Sequence, residues 1–386
     1  MKTKILLLVT IFIDIIGLGI IIPVLPFYVE SFGVSDIVVT LLFAVYALLS
    51  FFSAPFLGSL SDRIGRRPVL VVSIASSAIG WLVFASAQSV IVLFLGRMID
   101  GFAAGNITSA QSSLADIAKT DKERTVNMGL FGAIFGIGFI LGPAIGGLLS
   151  NISTAAPFWF VGILASLNAI FAFFFLPETH TGVRSTKKLS YNPFIPIRDG
   201  LALPVMRKIF LTWFIFGIAL SLQQSSFSIY LLQNFGMNAS KIGVIFALIG
   251  VLILINQLVL LKQVWFKIGS GIQLGQIMFV LFSIGMFLQA TPLLIGLFAG
   301  LVLTTFGQGT LRAVYGGLIA NASPEKRGEY IGISASLMSL SMVIGPLIAV
   351  LFIVQHPSLS FVVAGALGLI AYAINVNWKV FRSKTV

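Results

Sequence analysis

The sequence contains no cysteine among its 386 residues. Disulfides, thiolate metal sites and cysteine nucleophiles are therefore excluded. Charge is also scarce, because Asp, Glu, Lys and Arg together make up 9% of the chain, whereas hydrophobic residues make up 58% and the mean hydropathy is +1.06. So little polar surface cannot cover a water-soluble globule of this length, so we expect the chain to fold in a lipid bilayer.

The sequence shows neither a phosphate-binding loop nor a dinucleotide fingerprint, and no long polar region remains for a soluble catalytic domain. We therefore expect no enzymatic activity, no cofactor and no metal site. If the protein moves a solute across the membrane, the energy must come from a gradient, since no nucleotide-binding motif is present. A spanning helix needs about 20 apolar residues and a short connection, which allows roughly twelve spans in this chain. We predict an all-α membrane protein with twelve transmembrane helices, present as a monomer.

The basic residues are distributed unevenly along the chain. The formal net charge is +12, which in a soluble protein would suggest a nucleic-acid partner. Here the Lys and Arg residues between the predicted spans fall on one side of the membrane, and only Lys241 falls on the other. Cytoplasmic loops carry such an excess of positive charge. We therefore predict no nucleic-acid partner, and a multi-pass protein of a prokaryotic cytoplasmic (inner) membrane with both termini in the cytoplasm.

The two halves of the chain resemble each other. Arg124 precedes Gly142-Pro143 by eighteen residues, and Arg327 precedes Gly345-Pro346 by eighteen as well. Chance is the alternative, since glycine and proline are common in membrane helices. We predict an N-terminal six-helix bundle at 1–179, a cytoplasmic linker at 180–206 and a C-terminal six-helix bundle at 207–386. Two pseudo-symmetric bundles of this kind can expose one site to each side of the membrane in turn.

A segment rich in glycine and charge, GSLSDRIGRRP at 58–68, stands between the second and third predicted spans. It closely resembles the signature loop called motif A in the major facilitator superfamily. The resemblance implies that Asp62, Arg66 and Asp116 form a cytoplasmic latch of ion pairs. The alternative is that these charges only follow the membrane topology and remain solvated. The predicted latch comprises Gly58, Asp62, Arg63, Gly65, Arg66, Arg67 and Asp116.

The fourth predicted span carries a cation and an anion, Arg97 and Asp100, which lie three residues apart and hence on one helix face. Charges at this depth are costly and usually functional. Asp14 lies at a similar depth in the first span, so we predict a cluster of Asp14, Arg97 and Asp100 that couples transport to protons. Arg97 also matches the motif B arginine of the superfamily, for which a role in proton transfer is suggested. A static pair that only locks the helices is the alternative.

The fifth predicted span carries a stripe of glycines that allows close helix contact. Gly138, Gly142, Pro143, Gly146 and Gly147 resemble motif C, which marks the antiporters of the superfamily. Together with the sequence around Asp14, this stripe resembles the twelve-helix drug:proton antiporters, among them the tetracycline exporters. Those exporters also use acids in the third and ninth helices and a histidine in the eighth, and this sequence has none at those places.

The resemblance implies proton-coupled efflux of a small hydrophobic or amphipathic molecule by alternating access. Export of an endogenous metabolite such as a siderophore, a sugar or a glycolipid is the near alternative. A non-transporting sensor or a scramblase is the alternative from another class. The candidates for hydrogen bonding to a substrate are Gln223, Gln224, Asn256 and Gln308.

Overall fold

A computed structural model of the protein describes residues 2–103, 106–118, 120–179, 192–269, 271–322 and 327–376. Every regular element in these ranges is a helix, so the predicted all-α class is confirmed. The N-terminal helices are α1 Lys2–Glu30, α2 Ile37–Ile64, α3 Arg66–Ala85, α4 Val90–Ala103, α5 Asn106–Asp116, α6 Asp121–Leu149 and α7 Ala156–Phe175.

The later helices begin after the undescribed residues 180–191. They are α8 Phe194–Ala202, α9 Pro204–Phe235, α10 Ala239–Ile255, α11 Phe266–Ile268, α12 Gly271–Gln289, α13 Leu294–Asn321, α14 Arg327–Ala349 and α15 Ser358–Val376. A π-helix at Asn256–Trp265 joins α10 to α11. The sequence did not predict this wider helix.

Ten helices in the described ranges are long and apolar enough to cross a membrane, and Gly136–Leu149 is a shorter apolar stretch within α6. The ten correspond to ten of the predicted spans. The other two predicted spans are the fourth, which α4 and α5 form, and the fifth, which is α6. Two residues between α4 and α5 lie outside the described ranges.

The chain forms two compact units. Unit 1 consists of Met1–Pro193 and Gly236–Gly250, and unit 2 consists of Phe194–Phe235 and Val251–Val386. In unit 1, α1 packs against α6 and α7, and α3 packs against α4 and α7. In unit 2, α12 packs against α13 and α15, and α9 packs against α14 and α15. The predicted linker contains α8, which packs with α9 and α14 in unit 2.

Glycines let α3 and α4 cross at very short range inside unit 1. A Cβ atom at Gly80 would lie 2.8 Å from the backbone nitrogen of Asp100, and one at Gly96 would lie 2.8 Å from the backbone nitrogen of Phe84. Real Cβ atoms do not approach so closely, so both positions require glycine if the crossing is to be kept. This crossing places Asp100 directly against α3.

Candidate functional site

The structure buries a charged pair at the crossing of α3 and α4. Arg97 Nη1 lies 2.9 Å from Asp100 Oδ2, and their side chains are only 2% and 9% exposed. Ser77 of α3 donates its hydroxyl to Asp100 Oδ1 at 2.6 Å, so both carboxylate oxygens are bonded. Because an unpaired charge would be very costly here, the pair must stay together or exchange one partner for another.

Two aromatic rings flank the Arg97 guanidinium. Its Cζ atom lies 4.2 Å from the centroid of the Tyr46 ring, which α2 supplies, and 5.4 Å from that of Trp81, which α3 supplies. Both distances fall within the range of cation–π attraction. Our sequence analysis missed both residues, because a tyrosine and a tryptophan in apolar helices give no signal that separates them from ordinary packing.

A second acid of this site, Asp14, lies on α1. Its Oδ2 atom is buried and has no hydrogen-bond partner among the described residues, and the same holds for Arg97 Nε. Asp14 is close enough to interact electrostatically with Asp100 and with the Tyr46 hydroxyl. The structure thus joins Arg97 directly to Asp100 and places Asp14 nearby without a hydrogen bond to either in the described part of the chain.

The predicted glycine stripe of α6 forms the surface against which α1 lies. A Cβ atom at Gly142 would lie 2.8 Å from the carbonyl oxygen of Ile16, and one at Gly146 would lie 3.2 Å from the Cα of Ile20. A Cβ atom at Gly138 would press on the side chain of Ile15, the neighbour of Asp14, at 2.7 Å. The stripe therefore fixes the helix that carries Asp14.

The end of the same stripe contacts the first part of α10, which belongs to unit 1. Ser240 donates its hydroxyl to the carbonyl of Gly147 at 2.7 Å, and a Cβ atom at Gly147 would lie 3.0 Å from the carbonyl oxygen of Ala239. The Cβ position of Gly243 lies 2.5 Å from the carbonyl oxygen of Pro143. Pro143 and Gly147 thus form a second close helix contact, between α6 and α10, which the sequence did not predict.

The glycine-rich segment at 58–68 is mostly helical. Helix α2 continues to Ile64 and α3 begins at Arg66, so Gly65 is the single non-helical residue between the two helices. Its φ angle is +112°. Glycine adopts this left-handed conformation without strain, whereas other residues rarely do. Gly58 lies inside α2, with nothing within 4 Å of a Cβ atom placed there.

The charges of the predicted latch meet at Arg66. Its Nη1 lies 2.7 Å from Asp62 Oδ1, and its Nε lies 3.1 Å from Asp116 Oδ2 at the end of α5. Arg63 is exposed. Arg67 is exposed as well, and it donates to the carbonyl of Phe173 at 2.8 Å. The structure therefore brings Asp62, Arg66 and Asp116 together within unit 1.

Glu178 follows α7 and contacts the start of α3, close to the Arg66 ion pairs. Our sequence analysis did not predict this residue. Its carboxylate accepts hydrogen bonds from the backbone N–H groups of Arg66 at 2.9 Å and Arg67 at 3.3 Å. Its Oε2 atom occupies the place that a Cβ atom at Gly65 would need. An anion at a helix N-terminus satisfies the free N–H groups there. The signal that could have revealed it is the acid that follows Pro177 directly after a long apolar run.

The four candidates for substrate contact have different surroundings in unit 2. Asn256 is fully buried, donates to Thr310 Oγ1 at 3.2 Å and accepts from Trp265 Nε1 at 2.7 Å. Both the oxygen and the nitrogen of its amide are thus hydrogen-bonded within unit 2. Gln223 is half-buried and donates to Gln289 Oε1 at 3.1 Å. Gln224 and Gln308 are half-buried as well.

The π-helix explains why Asn256 and Trp265 can meet. Nine residues separate them, and in an α-helix with about 3.6 residues per turn they would point in opposite directions. Hydrogen bonds from residue i to i+5 widen the π-helix, so nine residues make about two full turns and the side chains share a face. Short π-helical segments occur often at functional sites.

The sequence model of the Major Facilitator Superfamily matches residues 7–274 of this chain. The chain belongs to this superfamily. Its relatives include the class C tetracycline resistance protein of Escherichia coli, which is 30% identical over 384 residues that cover 95% of this chain and 94% of the relative. Multidrug resistance protein 2 of Bacillus subtilis is 24% identical over 97% of this chain and 94% of its own length. The predicted resemblance to the drug-efflux type of the Major Facilitator Superfamily is confirmed.

Solved structures of the Major Facilitator Superfamily agree with the fold. The human organic anion transporter MFSD10 superimposes with a TM-score of 0.76 at 22% identity, covering 97% of this chain and 99% of that structure. A bacterial homolog of the human lysosomal transporter Spinster, in an inward-facing and unoccupied conformation, gives a TM-score of 0.79 at 16% identity, covering 97% and 95%. The predicted superfamily fold is confirmed, and the chain is a multi-pass membrane transporter.

Proposed function

We propose that this protein exports a small hydrophobic or amphipathic molecule in exchange for protons, by alternating access. Its place would be the cytoplasmic membrane of a prokaryote, with both termini in the cytoplasm, and it would act as a monomer. The observation that carries this proposal is the buried Arg97–Asp100 pair together with Asp14, which interacts electrostatically with Asp100 and has a buried oxygen atom without a hydrogen-bond partner among the described residues.

The charge count of the cluster suggests how coupling works. Arg97 can neutralise one carboxylate, and Asp100 is the one that it contacts. A second carboxylate in apolar surroundings is stable only when it is protonated or receives another partner. Asp14 is therefore the proton carrier in this proposal, and Arg97 alternates between the two acids. If substrate binding and protonation exclude each other, the two species are transported in opposite directions.

The similarity to drug-resistance proteins supports efflux of drug-like compounds. Besides the tetracycline and multidrug resistance proteins, the quinolone resistance protein NorA of Staphylococcus aureus is 27% identical over 88% of this chain and 87% of its own length. We propose the same broad class of substrate here. The sequence lacks the acids of the third and ninth helices and the histidine of the eighth that the resemblance to tetracycline exporters implies, so we do not propose selectivity for tetracycline.

The test is coupled transport in liposomes that contain the purified protein and a trapped pH-sensitive dye. Tetracycline and a quinolone would be supplied separately under an imposed pH difference, and both drug uptake and proton movement would be recorded. We expect drug accumulation that an ionophore abolishes and that moves protons in the opposite direction. Asp14→Asn should lose accumulation against the gradient, because the carboxyl group that carries the proton is gone.

The matched control is Asp199→Asn, which makes the same substitution at an exposed acid whose ion pair is with its neighbour Arg198. This control should transport like the unmodified protein. If Asp14→Asn still drives uphill transport, Asp14 is not the proton carrier. If neither drug moves protons in the unmodified protein, the proposed coupling itself is wrong.

A further inference from the structure

The guanidinium of Arg97 has two kinds of contact that do not compete. Its five N–H groups lie in the plane of the group, and one edge binds Asp100 at 2.9 Å. The rings of Tyr46 and Trp81 lie within cation–π range of the guanidinium carbon, at 4.2 and 5.4 Å. Attraction to a ring does not use an N–H group, so the rings can hold the guanidinium while its edges change partners.

We propose that Tyr46 and Trp81 are positioning residues that hold Arg97 in place while it exchanges one carboxylate for the other. This inference rests on the proposed proton coupling and adds the groups that keep the cation at the site. Arg97 Nε and Asp14 Oδ2 are both buried without a partner in the described residues, so each has unused hydrogen-bonding capacity for an exchange of partners when the helices move.

Packing holds both rings in position. A Cβ atom at Gly101 of α4 would lie 2.8 Å from the carbonyl oxygen of Tyr46, so α2 approaches the Arg97 helix directly beside this ring. The Trp81 ring lies 3.2 Å from the Cβ position of Gly17 on the Asp14 helix, and it stacks on Phe158 at 6.3 Å. Trp81 therefore contacts both the guanidinium and the helix of the second acid.

Among the described residues, the ionisable groups of this cluster come from three helices. Tyr46 of α2 and Asp100 of α4 lie beside Arg97, and Asp14 of α1 interacts with Asp100 and Tyr46. The residues that α3 contributes, Ser77 and Trp81, do not titrate. A loosely held Arg97 stabilises ionised carboxylates less, so loss of either ring should make the carboxyl groups bind protons more readily.

The test is an infrared pH titration of the purified protein, which follows the carbonyl band of protonated carboxyl groups and needs no transported substrate. Asp14→Asn and Asp100→Asn assign the band. We expect Tyr46→Leu and Trp81→Leu to raise proton affinity about tenfold, which moves the midpoint up by about one pH unit and corresponds to about 1.4 kcal/mol. Tyr46→Phe keeps the ring and should titrate like the unmodified protein.

Phe51→Leu is the matched control, because it removes a buried aromatic ring from the same helix. It should leave the midpoint unchanged. If Tyr46→Leu does not fold, as judged by its helical content, Tyr46→Met provides a side chain of more similar length. The proposal is overturned if the folded variants that lack a ring, Tyr46→Leu (or Tyr46→Met) and Trp81→Leu, have the same titration midpoint as the unmodified protein. An unchanged titration together with a coupling defect in Asp14→Asn would reject only this positioning role and leave the proposed function intact.

Discussion

At the scale of single residues, the end of unit 1 at which α2 meets α3 depends on a carboxylate that caps a helix from a distant part of the chain. Glu178 accepts from the first N–H groups of α3, more than a hundred residues away, and it fills the space beside Gly65. Gly65 cannot be substituted without disturbing Glu178, because a side chain at 65 would meet both a strained backbone and the Glu178 carboxylate.

Glu178→Ala should therefore destabilise the protein by about 1–2 kcal/mol, the usual cost of losing a helix cap. The expected effect is a melting temperature lower by a few degrees in detergent, measured by tryptophan fluorescence. Glu30→Ala, at an exposed acid near the end of α1, is the control and should melt with the unmodified protein. Equal melting of both variants would show that the cap contributes no stability.

At the scale of helices, the glycine stripe of α6 is a packing surface for α1. Gly142→Leu should push the two helices apart, since even a Cβ atom there would lie 2.8 Å from the Ile16 carbonyl and 2.9 Å from the Cα of Gly19. We expect the variant to insert but to lose at least about tenfold in drug exchange, because a displacement of the Asp14 helix by about 1 Å is enough to disrupt a site.

Gly332→Leu is the matched control for this helix prediction. It makes the same substitution in α14, where nothing lies within 4 Å of the Cβ position. Both variants should appear in the membrane in normal amounts, measured by quantitative blotting, and only Gly142→Leu should fail in the liposome assay. Normal exchange by Gly142→Leu would mean that the stripe is not needed for transport.

The helices also show how far sequence reasoning extends. Apolar length alone predicted the spans, because a bilayer fixes how long an apolar helix must be. The pair of Arg97 and Asp100 could be predicted from its spacing on one helix. The contacts of Arg97 with Tyr46 and Trp81 could not, since they depend on how three helices cross. The helical conformation at Gly58 was not predicted either, because glycine permits a break in a helix but does not force one.

At the scale of the whole molecule, the ion pairs of Arg66 with Asp62 and Asp116 lie within unit 1. They join α2, α3 and α5 at one end of this unit. Ion pairs as exposed as these are worth about 1 kcal/mol or less, since Asp62 is 47% exposed. They can shift the balance between two conformations but cannot lock one.

Asp62→Asn should therefore shift the protein toward the form that is open to the cytoplasm, by up to about fivefold, which is the population change that 1 kcal/mol gives. The chain has no cysteine, so single cysteines introduced at Gly316 and Gly332 report without background. Both positions have open space around the Cβ atom and lie near helix ends predicted to face the cytoplasm. Their reaction with a water-soluble maleimide should accelerate in Asp62→Asn and remain unchanged in Asp199→Asn.

Salt should reduce the difference in labelling rate between Asp62→Asn and the unmodified protein, because partly exposed charges are screened over about 8 Å at physiological ionic strength. Equal labelling in all three proteins would show that the Asp62 charge does not bias the conformation, and an effect that salt leaves unchanged would point to packing instead of charge.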